Sequence, residues 1–526
     1  MAYHNFYNRV ISVMVLSLLL PGIVRAESFD QMGSSLSAGM NRNWQIHGYQ
    51  RIRSSGYYNL DLDRGLTPSG TPIFPVPLSE GQWLSSSDMR FRTDISGVSE
   101  RGSVGVHVRM DVFDNMRLGS LPQGTAIDST SQTAPSDSIV VRQAYATALT
   151  PVGFVIAGRM SNTWGLGMLA NSGECVDCNS VDVSDRVAFI TSLVGHLWVA
   201  AYDFSSTGLG TSRAYNVPDI DLEPTDNAGS ITFAVMNVLS DYTRDRRQRA
   251  GKTSVEYGLY WSQRNQQNDI PSAYVGNAST NDITQTSLVA RNYRANAVDG
   301  YYRITAPKMH IASEFAYLQA YIGDPMIFSG LSSQDSLTSS QWGMAIESSF
   351  GDPKATVQWG LDAGIASGDS APGFGARPSA SYQPTNSGDL DGPQFSLPND
   401  TNVNNFKFHS DYRIDKILWR EIIGTVTDAV YIKPHASWQL AKAGPGTLSL
   451  HQSLVWSRAM EASSTLSGAK SLGVEWDPTL EYISTDGMGF QIDYALLLPM
   501  AGLDNPVAGL EAKPAQLIRT HLRYKF

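Results

Sequence analysis

The chain has 526 residues, of which only 17% are charged, while 46 are glycine, 23 tyrosine and 11 tryptophan. Asp and Glu number 49 against 39 Lys and Arg, and the net charge of -10 argues against a nucleic-acid partner. A soluble chain of this length usually divides into domains, and no linker-like stretch divides this one.

Met1–Arg9 is short and basic, Val10–Val24 is apolar, and Val24-Arg25-Ala26 places small residues around a cleavage point. This is the pattern of a secretory signal peptide over 1–26, with cleavage expected after Ala26. The leader carries Arg9 and Arg25 and no acid, so the mature chain would keep 37 basic against 49 acidic side chains. Residues 27–42 read as an N-terminal periplasmic segment and 43–526 as one membrane domain. No later run approaches the ~18 apolar residues of a membrane helix. The longest, Ala495–Leu503, is broken by Pro499 and Gly502. A membrane-spanning part must then be a closed barrel, because only helices and barrels satisfy their backbone in lipid.

Alternating runs fit that expectation. They lie at 43–60, 87–98, 103–113, 138–149, 153–162, 185–194, 196–205, 229–239, 252–264, 285–304, 308–321, 340–350, 354–366, 427–440, 446–458, 469–482, 488–498 and 515–526. The prediction is all-β: a transmembrane antiparallel β-barrel of about 18 strands (16–18) with long external loops. Long connections such as 61–86, 114–137 and 163–184 alternate with short ones such as Thr150–Val152 and Gly351–Pro353. Counts from the two ends agree only if 367–426 is one external connection. A loop that long usually has a job, and folding into the lumen as a constriction is the expectation. Its residues His409, Asp411, Arg413, Trp419, Arg420 and Glu421 are then constriction candidates, with a short helix near Ile414–Ile423 begun by Asp411 and ended by Gly424. The last strand runs to a terminal Phe526, with Ile518, Leu522 and Tyr524 on one face and Arg519, His521, Arg523 and Lys525 on the other. Such a strand should face outer-membrane lipid and carry the signal read by the barrel assembly machinery.

The faces predicted to point inward are charged. Arg51 and Arg53, then Arg90 and Arg92 with Asp94, then Arg109 with Asp111, and Arg142 fall on the parity opposite to apolar neighbours. Arg519 and Arg523 continue the row across the closure. Glu475, Asp477 and Asp493 form an acidic counterpart. Opposed walls of this kind would set a transverse field across a pore; a lumen filled by salt bridges is the alternative. Cys175 and Cys178 read as a disulfide in an external loop, since no second cysteine pair supports zinc. Asp177, Asn179, Asp182 and Asp185 beside them match no standard calcium loop. No metal or cofactor is expected. The chain has no G-x-S-x-G, H-E-x-x-H or phosphate loop, and an enzyme is not expected either.

Several segments resemble an uncharacterised family of large outer-membrane β-barrel proteins of delta-class proteobacteria. They are Gly56–Gly65, Asp88–Arg92, Asp111–Asn115, Gly158–Met160, Trp164–Gly167, Ala170–Gly173, Asp185-Arg186, Phe408–Arg413 and Leu418–Gly424. The resemblance implies an 18-strand class of barrel and no substrate. Ser367-Gly368-Asp369 before the long loop is more distantly similar to alginate-export porins, which implies passage of an anionic sugar polymer. The function expected is passive diffusion of small polar or anionic solutes through an arginine-lined lumen. The rivals are a plugged structural or surface-interaction barrel, an exporter of anionic polysaccharide and, last, a soluble secreted enzyme.

Overall fold

The computed structural model describes residues 44–75, 83–100, 102–119, 139–208, 210–211, 220–270, 288–326, 333, 335–352, 355–377, 385–392 and 394–526. The signal-peptide and N-terminal periplasmic segments lie outside the described residues.

Eighteen strands form one closed antiparallel sheet. In chain order they are β1 (Trp44–Tyr58), β2 (Trp83–Val98), β3 (Val104–Arg117), β4 (Ile139–Thr150), β5 (Gly153–Ser161), β6 (Val183–Leu193) and β7 (His196–Ser206). A two-residue ladder, β8 (Gly210–Thr211) with β9 (Ile220–Asp221), stands apart from the barrel. The barrel continues with β10 (Ala228–Asn237), β11 (Ser254–Gln266), β12 (Tyr293–Ala306), β13 (Met309–Ile322), β14 (Leu337–Phe350) and β15 (Val357–Ala366). It ends with β16 (Ala429–Ala443), β17 (Gly446–Ala459), β18 (Ser471–Ser484), β19 (Met488–Pro499) and β20 (Ala515–Lys525).

β20 pairs with β1, placing Leu522 opposite Ile52, and so closes the sheet. At the seam Gly48 and Phe526 exchange two backbone hydrogen bonds of 3.1 Å, and the Phe526 ring stacks on Phe91. A Cβ on Gly48 would stand 2.1 Å from the Arg92 carbonyl and 2.9 Å from the Phe526 ring, so the seam requires glycine there. β15 and β16 pair directly, Ala366 opposite Ala429, which makes 367–428 a single connection leaving and re-entering the sheet at one point.

The strands alternate as a barrel in lipid must. Val104, Val106, Trp198, Leu259, Phe315, Leu361, Trp476, Ile492 and Leu522 all lie exposed on the outer surface. Trp44, Trp83 and Trp359 are 62%, 57% and 57% exposed, and belong where aromatic residues meet the interface. Such an apolar exterior on a closed barrel is the surface of a bacterial outer-membrane protein. No described helix is long and apolar enough to cross a membrane.

Two features depart from the sequence reading. A helix, α1 (Asp241–Arg249), occupies the turn between β10 and β11, which the alternation showed only as a connection. Ser240 caps it by accepting the Thr243 N–H at 3.3 Å, and Arg244 reaches Glu256 of β11 at 2.7 and 2.9 Å. The helix carries no apolar stripe, so periodicity could not reveal it. In the long loop the expected helix is one wide turn, Leu418–Ile423, in which Ile422 N–H donates to the carbonyl of Ile417. Asp415, not Asp411, caps that turn by accepting the N–H groups of Trp419 and Arg420. Gly424 ends it at φ 107°, a conformation that suits glycine.

Candidate functional site: the lumen

Two loops fill one side of the lumen. Loop 162–182, between β5 and β6, enters it and lies against the arginine wall. Arg51 donates to the Val176 carbonyl at 2.8 Å, Arg90 to the Cys178 carbonyl at 2.9 Å and Arg92 to the Gly173 carbonyl at 3.1 Å. Cys175 and Cys178 are joined by a disulfide, their Cα atoms 5.1 Å apart. The turn it closes is therefore folded into the barrel rather than projecting outside it. The opposite limb of the same loop crosses to β13. There Glu314 accepts the N–H groups of Leu166, Met168 and Leu169 at 2.5, 3.2 and 3.0 Å. Gly165 and Gly167 adopt φ of +58° and +80° in that turn, and a Cβ on Gly165 would meet Glu314 Oε2 at 2.6 Å.

The second loop, 367–428, supplies an apolar plug. Phe406, Phe408, Ile414, Ile417, Trp419 and Ile423 pack against inward residues of β16–β20, among them Tyr431, Val455, Leu497 and Leu517. Burying several large apolar side chains contributes roughly 2 kcal/mol each toward the entropy cost of ordering the loop. The acidic wall receives this plug. Glu475 accepts the N–H groups of Lys416, Ile417 and Leu418 at 2.9, 2.7 and 3.0 Å, and Asp493 pairs with Lys416 and, at 3.1 Å, with His521. Asp477 is buried beside Glu475. The indole N–H of Trp419 donates to Ser457 Oγ at 2.9 Å.

The two loops are locked together at Asp177. Its carboxylate meets Arg53 at 2.8 Å, Arg413 at 3.0 Å and Arg420 at 2.5 Å. The guanidinium groups of Arg420 and Arg413 hold this carboxyl well below the usual carboxylate range, against the burial that opposes ionisation. Asp411 accepts the N–H groups of Asn179 and Ser180, and His409 N–H donates to the Met168 carbonyl at 2.7 Å. Glu421 pairs with Arg519 at 2.6 Å, which holds its carboxyl below the ordinary value.

These contacts change the meaning of the basic row. Arg51, Arg53, Arg90, Arg92, Arg109 and Arg519 face inward as the alternation requires, yet all are buried under the loops rather than bordering open water. Each also has nearby acids. Arg51 and Arg53 share Asp88, Arg92 holds Asp111 with two bonds of 2.6 and 2.8 Å, and Arg109 bridges Asp94 and Glu174, both at 2.5 Å. Arg142 joins Asp111 and Asp114, and Arg523 joins Glu481 at 2.8 Å. Buried charges require such partners. The expected transverse field is thus corrected: the walls are neutralised locally, by short-range acids on one side and by loop N–H groups on the other. The acids near the disulfide also part company. Asp177 faces arginines, Asp182 lies 3.5 Å from His409 and Asp185 holds Arg159 at 2.7 Å, so they do not converge on a cation.

The other side of the lumen is different. Beside β6, β7 and β10–β13 lies a polar cavity of about 580 Å³, bordered by Ser184, Ser205, Ser230, Ser262, Arg264 and Tyr293. The Arg159 and Asp185 side chains, 49% and 47% exposed, lie on the outward parity with Val187 and Phe204. Tyr260, also on the wall, packs against Trp164, whose neighbours Ile156, Met160, Ile190, Val199 and Met236 form an apolar cluster facing the lumen. The sequence singled out only Asp182 and Asp185 here, because the serines and tyrosines of the wall are scattered over five strands.

No protein-family model matches the sequence, and no curated protein does. Among solved structures, OccAB2 of Acinetobacter baumannii is similar at a TM-score of 0.45 and 10% identity, over 92% of this chain and 98% of that one. A BenF-like porin from Pseudomonas fluorescens Pf-5 gives 0.45 and 9%, over 93% and 100%. OpdK of Pseudomonas aeruginosa, solved with vanillate, gives 0.42 and 10%, over 92% and 98%. Likeness at this level carries no argument about function, and the reading below rests on the lumen itself.

Proposed function

We propose that the protein is a porin-like outer-membrane channel for passive diffusion of small polar solutes, and that solutes use the polar side of the lumen rather than the arginine wall. The observation that carries this is the cavity of about 580 Å³ left between loop 162–182 and the wall of β6, β7 and β10–β13. The arginines then act as a clamp for loop 162–182. The apolar cluster around Trp164 would form the constriction next to the cavity, a device that gates by excluding water. The chemistry described is binding and passage, with no catalytic constellation among these residues. The register that sets Phe526 against Gly48 supports β20 as the closing strand offered to the assembly machinery.

Planar-bilayer recording of the purified barrel tests the proposal. Steady conductance is expected, and coupling a bulky thiol reagent to Ser262→Cys in the cavity wall should sharply lower it. Absence of conductance at any voltage would sink the channel and favour the second reading, a plugged barrel working through its external surface. The apolar plug formed by Phe406–Ile423 is the observation on that side. The anionic-polymer reading gains little, because Ser367-Gly368-Asp369 serves the loop itself. Ser367 Oγ donates to the Asn404 carbonyl at 2.7 Å and Asp369 accepts the Asn404 N–H at 2.6 Å.

A further inference from the structure

We infer that the histidines lining the periplasmic side of the lumen set the ion selectivity of the channel, turning it toward anions as the pH falls. The inference rests on the reading of the barrel as a channel, and it concerns the wall below the two loops.

Placement is the first argument. Of the nine histidines in the chain, six stand at inward positions of barrel strands: His47, His107, His310, His435, His451 and His521. All but His435 lie no more than five residues from the periplasmic end of their strands, the end away from loops 162–182 and 367–428. His435 stands on β16 one inward position from Ser437, which opposes His451 of β17. The arginines above are buried, whereas this part of the wall meets water. The side chains of His47, His435 and His451 are 27%, 29% and 45% exposed.

Charge is the second argument. Each of these three histidines faces a carboxylate that already has a permanent cation. Glu481 lies 3.5 Å from His451 and 2.8 Å from Arg523. Asp362 lies 3.2 Å from His435 and 3.8 Å from Lys433. Asp94 lies 3.9 Å from His47, 3.5 Å from His107 and 2.5 Å from Arg109. Glu347 of β14 is a further acid facing His435, and Glu174 is one facing His47. Histidine is the side chain whose charge changes between pH 5 and 8, while lysine and arginine keep theirs throughout. Each imidazole that takes up a proton therefore adds one positive charge to a wall whose carboxylates are already matched. Half-exposed charge of this kind acts on passing ions over about 10 Å at 0.1 M salt.

The test measures the reversal potential of the full-length barrel in planar bilayers, across a gradient of potassium chloride with about 0.1 M on the higher side. Chloride permeability relative to potassium is expected to rise about threefold from pH 8 to pH 5, the effect of two or three unit charges acting through water. Molar salt screens charges within about 3 Å, so conductance measured there is expected to stay flat over the same range. His451→Gln should lose about half of the shift, and His435→Gln combined with it should lose most of the rest. An unchanged permeability ratio in the parent overturns the inference and leaves the channel, as does a shift that the double variant retains. If the double variant fails to insert, His451→Gln alone decides: the full parental shift overturns the inference and a reduced one supports it. A barrel that conducts at neither pH removes the channel reading and this inference with it.

Discussion

The two sides of this lumen are made from the same kind of strand and do opposite things. Beside β1–β4 and β16–β20, large charged and apolar side chains point inward, and loops 162–182 and 367–428 are folded onto them until the arginines are buried. Beside β6, β7 and β10–β13, serines, tyrosines and alanines point inward alongside Arg186, Asp203, Glu256, Asp299 and Glu314, and a cavity remains. The difference teaches that inward charge is not the same as pore lining. A guanidinium inside a barrel is costly to leave unpaired, so a dense row of them recruits carbonyls and carboxylates. A row of small neutral polar groups exerts no such demand and leaves room for water.

Asp177→Ala should produce the largest change. It removes the carboxylate common to Arg53, Arg413 and Arg420 and leaves three guanidiniums facing one another across two loops. Removing one partner of a buried ionic group costs about 3–5 kcal/mol. Loop docking should fail on the filled side, and single-channel conductance should rise well above that of the parent. A variant with unchanged conductance would show that the apolar plug holds the loops without the clamp. Acid should act in the same sense. The Asp177 carboxyl is depressed, so its contribution is present above the ordinary carboxylate value of about 3.9 and is lost only as pH falls through its lower folded value. Conductance measured down the pH scale should stay flat through pH 5 and rise only below the ordinary carboxylate range.

Glu314→Ala comes next. Its carboxylate gathers three backbone N–H groups of the Trp164–Leu169 limb, and bonds to a charged group contribute about 1.5–3 kcal/mol each in isolation, less when shared. The limb should loosen while the arginine side stays docked, which appears as open-channel noise with a modest rise in mean current. Glu314→Gln, which keeps an acceptor oxygen, should recover part of the parent behaviour. Replacing Cys175 and Cys178 by serine should do less. The disulfide closes a very short loop, worth about 2 kcal/mol by loop entropy, and the carbonyls of Val176 and Cys178 would still face Arg51 and Arg90.

The barrel was legible because alternation is imposed by lipid outside and a polar interior within. Val104, Val106 and Val108 against His107 and Arg109 fix both a strand and its facing. The same parity made 367–426 one connection, and the direct pairing of β15 with β16 bears that out for 367–428. What alternation could not convey was distance in the lumen. Nothing in Glu174–Asn179 says that this acidic turn meets Arg51 and Arg90, more than eighty residues away, because those contacts are made by backbone carbonyls that every residue has. The Ile414–Ile423 stretch read as helical from Asp411 as its start and Gly424 as its end, but its apolar residues are set by the barrel wall they pack on rather than by helical spacing. The cavity was invisible for the opposite reason, since serine and asparagine are too common in strands and turns to mark a place.

The smallest effect tests exposure against burial on strands β5–β7. Arg159 and Asp185 make a well-formed pair, yet both are about half exposed, and water screens them. Pairs of this kind are worth about 0.2–1 kcal/mol. Arg186 and Asp203, on β6 and β7 and facing inward, are the buried counterpart. Arg159→Gln should therefore leave the temperature of barrel unfolding nearly unchanged, whereas Arg186→Gln should lower it clearly, because Asp203 would then be left as a buried charge without its guanidinium. If the two substitutions prove equally harmful, the outward pair is as well shielded from water as the inward one. The distinction between the exposed and the buried pair would then have to be abandoned.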